Sequence, residues 1–188
     1  MKILVICQHY WPEPYPLPDL CEELVRRGHT VDVITDVPNY PMGITYPEYR
    51  RGARRRETHN GVGITRTFTI ARRHNAVFRL LNYYSYAWSS SLYAARLRDD
   101  YDVVFLGYPN WWYGVPMPLL TFLEENDLSD KQVYLFCSHG TGGLANSVEI
   151  ITEAIPDTTI SDNIFHCYEE DASSSQNDIQ AWLSELGF

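Results

Sequence analysis

The sequence predicts an α/β fold built on a doubly wound parallel sheet, in a three-layer α/β/α sandwich. Short apolar runs alternate with longer segments of helical periodicity along the whole chain, as strand–helix–strand units require. The apolar runs are continuous, as in Ile3-Leu4-Val5-Ile6 and Val103-Val104-Phe105-Leu106, so these strands are covered on both faces. Glycines, prolines and an Asn-Gly pair punctuate the segments where turns are needed.

Residues 3–7 form the first buried strand. Residues 17–27 are helical, with Leu20, Leu24 and Val25 on one face and Gly28 placed to cap the end. Residues 30–35 are the second strand. Residues 36–49 contain Pro38, Pro41, Gly43 and Pro47 and make an irregular loop. Residues 57–59 and 62–70 flank Asn60-Gly61, a pair that suits a two-residue hairpin turn. Residues 76–98 are a long helix, and 102–106 a further core strand. The rhythm repeats with helix 116–125, strand 132–137, helix 144–155 and strand 158–165. Helix 174–186 follows, with Ser173, Ser174 and Ser175 as N-cap candidates. The expected strand order is 3-2-1-4-5-6, a Rossmann-like arrangement with its switch point between strands 1 and 4. That order gathers residues 8–14, 108–114 and 138–143 around one crevice. No linker interrupts the pattern, so residues 1–188 read as a single α/β domain.

At 188 residues and 45% hydrophobic content the chain can bury one good core. No apolar run reaches the roughly 18 residues of a spanning helix. The start lacks the apolar stretch and cleavage site of a secretory signal, and a cytoplasmic location is expected. Cys7, Cys21, Cys137 and Cys167 show no CxxC spacing and suit a reducing compartment. The net charge of −9 is unevenly placed. Residues 1–107 carry 14 basic against 11 acidic residues, whereas residues 108–188 carry Lys131 alone against 13 acids. Such asymmetry implies different partners or different origins for the two halves.

Two loops at the carboxyl ends of strands carry most of the chemistry. Tyr108-Pro109-Asn110-Trp111-Trp112-Tyr113-Gly114 offers adjacent indoles, which either stack on a planar ligand or cover the core. Cys137-Ser138-His139-Gly140-Thr141-Gly142-Gly143 is a glycine-rich turn that either forms an anion nest or serves tight packing. It is not a P-loop, because Gly-Lys-Ser/Thr is missing. Ser138-His139 lacks a nucleophile elbow, which disfavours a hydrolase. Cys137, His139, His166 and Cys167 are metal-ligand types without a ligating spacing, and no metal is expected. The basic run Arg50-Arg51-Gly52-Ala53-Arg54-Arg55-Arg56 is either a solvated loop or a contact for anionic lipid headgroups or the phosphates of a lipid-linked acceptor. Nucleic acid is not expected, given the net charge and the absence of a binding motif.

The ordered set Gln8-His9-Tyr10-Trp11-Pro12-Glu13-Pro14, Asp19-Leu20-Cys21-Glu22-Glu23-Leu24, Arg26-Arg27-Gly28-His29, Pro38-Asn39-Tyr40-Pro41-Met42-Gly43 and Glu57-Thr58-His59-Asn60-Gly61-Val62 resembles the amino-terminal domain of family-four glycosyltransferases, over residues 1–106. In that family this domain is the acceptor side of a two-domain cleft. Nothing here resembles the donor domain or its paired glutamates, so autonomous glycosyl transfer is not expected.

Residues 102–188 resemble the carboxy-terminal half of flavodoxins. The resemblance rests on the Pro-Asn-Trp-Trp and Ser-His-Gly loops, Thr121-Phe122-Leu123-Glu124-Glu125, Ser147-Val148-Glu149 and Asp178-Ile179-Gln180-Ala181-Trp182-Leu183. It implies that Asn110, Trp111 and Trp112 flank the isoalloxazine of FMN, and that Ser138, His139, Gly140 and Gly142 contact its polar edge. It also implies electron transfer, for which the acidic half would suit a basic partner. The departure lies after the first strand. Flavodoxins hold the FMN phosphate there in a Ser/Thr-Gly-rich loop, whereas residues 8–18 contain four prolines and no glycine. FMN is therefore expected to bind weakly. Two vocabularies meeting inside one strand, at residues 103–107, suggest an engineered or generated recombinant with residual flavin affinity. The alternative is a non-catalytic acceptor- or membrane-binding half of a glycosyltransferase.

Overall fold

Five residues, Lys2–Ile6, form strand β1, and their side chains divide the interior in two. Ile3 and Val5 enter one core cluster and Leu4 and Ile6 the other, because successive strand residues point to opposite faces. The computed structural model describes residues 1–15, 17–73, 75–96, 101–110 and 112–188.

The remaining strands are β2 (Thr30–Thr35), β3 (Arg56–His59), β4 (Val62–Arg66), β5 (Val103–Pro109), β6 (Gln132–His139), β7 (Thr159–Ile160) and β8 (Phe165–Tyr168). They form one sheet in the order β3-β4-β2-β1-β5-β6-β7, with β8 also paired to β6. Every pairing is parallel except β3 with β4. This is the predicted 3-2-1-4-5-6 order, with the hairpin as its third member and β7 and β8 sharing the sixth place. At the hairpin tip Asn60 and Gly61 adopt φ of 47° and 86°, the two left-handed positions of a type I′ turn.

Helices α1 (Leu17–Arg26) and α5 (Gln176–Glu185) cover one face of the sheet, where Leu20, Leu24, Trp182 and Leu183 meet Val5, Val33 and Phe105. Helices α2 (Ala76–Ala94), α3 (Met117–Glu125) and α4 (Ser147–Ala154) cover the other, where Ala94, Phe122 and Ile151 meet Leu4, Val104 and Leu135. No described helix is long and apolar enough to cross a membrane.

Several boundaries differ from the sequence reading. The predicted end of α2 at residue 98 lies outside the described residues. Helix α4 begins at Ser147 rather than at 144, because Ala145 is left-handed (φ 43°) and the Asn146 amide donates to the Tyr113 carbonyl (3.1 Å). Strand 158–165 is two short strands, since the Ser161 hydroxyl accepts the Asn163 amide (3.2 Å) and turns the chain between them. Ser175 holds the N-cap position of α5 without capping it; its hydroxyl donates to the Ala172 carbonyl (2.9 Å) and closes a short 3-10 turn instead.

Strand β5 crosses the point where the two sequence vocabularies meet, and it pairs with β1 on one side and β6 on the other. Phe105 is fully buried there, with ring centroids 5.2 Å from Tyr134, 5.4 Å from Phe188 and 5.7 Å from Trp182. Phe105→Ala should lower the unfolding free energy by about 3–5 kcal/mol, measured by urea denaturation.

Candidate functional site

In an open α/β sheet ligands bind at the carboxyl ends of the strands, where the strand order reverses. Here that point lies between β1 and β5. The loops leaving β1, β2, β5 and β6 therefore define the candidate site, and they fall into two pairs.

The first pair leaves β1 and β2. The Gln8 carbonyl accepts the Asp36 amide (3.1 Å) and the Thr35 hydroxyl (3.0 Å), which aligns the two exits. Glu13 then turns inward until only 3% of it is exposed. One of its carboxylate oxygens accepts the backbone amides of Asn39 (2.6 Å) and Tyr40 (2.7 Å), and the other meets His9 Nδ1 at 2.7 Å. Asp36 is 1% exposed and accepts from Asn39 Nδ2 at 3.1 Å. Burial, and after it the neighbouring Glu13 carboxylate, push the Asp36 carboxyl well above the ordinary aspartate range. Tyr15 stacks on the His9 ring at 5.1 Å and closes the cluster from outside.

His9, Glu13 and Asp36 bring three metal-ligand atoms within 4.8 Å of one another. The cluster works as a tie between loops, because Glu13 uses both oxygens on the protein itself. Sequence reasoning missed it. The signal available was an acidic residue inside a proline-rich, aromatic tract with a histidine four positions earlier.

A phosphate does not fit at this exit. The buried Glu13 carboxylate repels an anion, and the backbone amides of residues 39 and 40 that could receive one already hold Glu13. Arg66, the buried cation nearby, spends one guanidinium nitrogen on the Trp11 carbonyl (2.6 Å) and Glu57 (2.7 Å), and its Nε is buried without a hydrogen-bond partner among the described residues.

The second pair leaves β5 and β6. The Asn110 amide donates to the Ser138 carbonyl at 2.8 Å, and Asn110 Nδ2 donates to the Gly143 carbonyl, so the two loops are laced together. Asn110 Oδ1 is buried without a hydrogen-bond partner among the described residues. Trp112 and Tyr113 both take left-handed φ (51° and 66°), and Trp112 stands 97% exposed. The Tyr113 ring lies against Gly142, where an added Cβ would come within 3.0 Å of it. Gly140 and Gly143 face open space. Trp111 lies outside the described residues.

The His139 ring is turned toward its own chain. Its Nδ1 lies 2.7 Å from the Gly140 carbonyl and so carries the proton, which leaves Nε2 to pair with His166 Nδ1 at 3.0 Å. Both ring nitrogens are engaged. Cys137 is buried, and desolvation raises its thiol to about 12, which keeps it protonated at neutral pH. Among the expected contacts, the structure thus gathers Asn110, Trp112, Ser138, Gly140 and Gly142 at one end of the sheet, with the His139 ring turned to His166.

Two outcomes follow from the Glu13 tie. Glu13→Ala strands the buried Asn39 amide and the part-buried Tyr40 amide and should cost about 3 kcal/mol of stability in chemical denaturation. Asp36 has a folded pKa above its unfolded value, so folding takes up a proton between the two and stability falls as pH rises through that window. Asp36→Asn should therefore gain on the wild type progressively as pH rises above about 4. Denaturation midpoints across that range measure the gap.

A comparison of the sequence with known families matches residues 90–186 to Flavodoxin, just over half of the chain. No curated protein matches the sequence. Among solved structures, a candidate flavoprotein from Bacteroides uniformis shares 16% identity with a TM-score of 0.52, over 97% of this chain and 97% of that one. A second, from Bacteroides eggerthii, shares 20% identity with a TM-score of 0.51, over 100% of this chain and 98% of that one. At such identities the likeness is one of fold, and it includes residues 1–106. Neither structure supports the glycosyltransferase resemblance of that half or an engineered join. The matched segment contains both laced loops, and the sheet places them at the switch point: the chain belongs to the flavodoxin family.

Proposed function

We propose that the protein binds the isoalloxazine ring of a flavin between the loops that follow β5 and β6, with no anchor for a phosphate. The single observation that carries this reading is the lacing of Asn110 to the glycine turn beside an almost fully exposed indole, Trp112. An indole in that position gives a flat apolar surface for a planar ring. Asn110 Oδ1 supplies an acceptor for a ring N–H, and the amides near Gly140 and Gly142 approach closely because those residues lack side chains. A bound flavin would supply the redox chemistry, and the loops would orient it and set the polarity around its ring. FMN would gain little over riboflavin, since the β1 exit repels its phosphate.

A single domain spanning residues 1–188 belongs to the same proposal, because the loops that border the crevice come from strands on both sides of residue 107. Electron transfer would favour a basic partner, given the 13 acids and one lysine of residues 108–188. The reading is the same for an evolved chain and for an engineered recombinant, since it rests on loops within the flavodoxin match.

Riboflavin fluorescence titrated with the protein should quench to saturation. Trp112→Ala should raise the dissociation constant about tenfold, the effect of losing one stacked ring. Fluorescence that stays flat at high protein concentration would remove the flavin reading.

A further inference from the structure

Helix α2 turns an apolar face to solvent. Val77, Leu80, Leu81, Tyr84, Trp88 and Leu92 are each between 42% and 63% exposed. Their spacing of three and four residues sets them on one stripe roughly 22 Å long. The inward face carries Asn82, Tyr86, Ala87, Ser90, Ser91 and Ala94. The helix contains no acid and a single charge, Arg79. Phe68, 51% exposed, extends the stripe sideways, because its carbonyl accepts the Ser89 hydroxyl at 2.6 Å.

Positive charge frames this face. Residues 37–96 contain ten arginines against two acids, Glu48 and Glu57, and Glu57 is already paired with Arg66. Arg56 donates to the Tyr93 hydroxyl at 3.0 Å, which sets the arginine run of the preceding loop beside the last turn of α2. Arg73 lies over the Phe78 ring at 4.4 Å, which sets a second basic group at the first turn.

From this juxtaposition we infer that the outer face of α2 docks the protein on an anionic membrane surface. The helix is not apolar enough to span, so it lies in the plane of the interface. Its aliphatic and aromatic side chains enter the boundary between headgroups and acyl chains, and the arginines at both ends meet lipid phosphates. Charge complementarity selects this occupant. A two-fold contact with a second copy would bring the same arginines face to face. A single-stranded nucleic acid would use Tyr84 and Trp88 but leave Val77, Leu80, Leu81 and Leu92 in water.

Co-sedimentation with vesicles tests the inference, using phosphatidylcholine alone and phosphatidylcholine mixed with phosphatidylserine. The wild-type protein should partition into the mixed vesicles and stay in solution with the neutral ones. Leu81→Ser with Trp88→Ser should weaken partition at least about tenfold. Replacing Arg54, Arg55 and Arg56 by glutamine should weaken it about fivefold per residue, with the loss fading as salt is added. All five side chains lie on the surface, so circular dichroism should report an unchanged fold. Equal partition into both kinds of vesicle, or none into either, would overturn the inference. So would binding of single-stranded RNA without vesicle binding, or a dimer in sedimentation velocity that the Leu81/Trp88 variant abolishes.

Discussion

Both edges of β1 are hydrogen-bonded, to β2 and to β5, so the chain has one way out of it, over the carboxyl end of the sheet. That exit is the constraint on which the rest of the site depends. A glycine-rich turn would satisfy it with free amides and leave an anion nest. This chain uses prolines, which give no amide protons, and satisfies the exit with a side chain instead. The Glu13 carboxylate reaches across to the amides of Asn39 and Tyr40 and acts as an internal anion. Once Glu13 is seated, Asp36 is desolvated beside a like charge, His9 is fixed between them, and Tyr15 closes the top.

The two sides of the switch point consequently do different things. On the β1–β2 side every loop is tied to another by charge-assisted hydrogen bonds, and those groups are buried. On the β5–β6 side the loops are laced through one asparagine, and the adjacent aromatic residues stand in solvent. The same division runs through the charge. The arginines gather around β3 and the flanks of α2, whereas the chain after residue 107, which supplies the laced loops, is acidic. A planar, weakly charged ligand ring suits the second side, and an anionic surface suits the basic rim.

Much of the fold was legible because its signals are local. The continuous apolar strands, the Asn60-Gly61 turn and Gly28 at φ 88° after α1 each follow from a few neighbouring residues. What sequence reasoning missed depends on contacts between distant segments. The late start of α4 rests on the Tyr113 carbonyl, and Ser174 and Ser175 leave α5 uncapped because their hydroxyls find nearer carbonyls. The candidate loops were also legible, through Asn110 and the glycines of residues 140–143. The engagement of His139 with His166 was not, since it depends on the register of β6 against β8. The Glu13 tie was hidden for the same reason, since the first amide it binds lies 26 positions further along the chain.

In the proposed reading the Glu13 carboxylate stands where a flavin phosphate would otherwise be held. The ratio of the FMN and riboflavin dissociation constants tests it most directly, measured by fluorescence titration in one buffer. A ratio of about one or higher is expected, because the phosphate finds the Glu13 charge and amides that are already engaged. FMN bound more than about tenfold tighter than riboflavin would mean a phosphate anchor worth over 1.4 kcal/mol, and would contradict it.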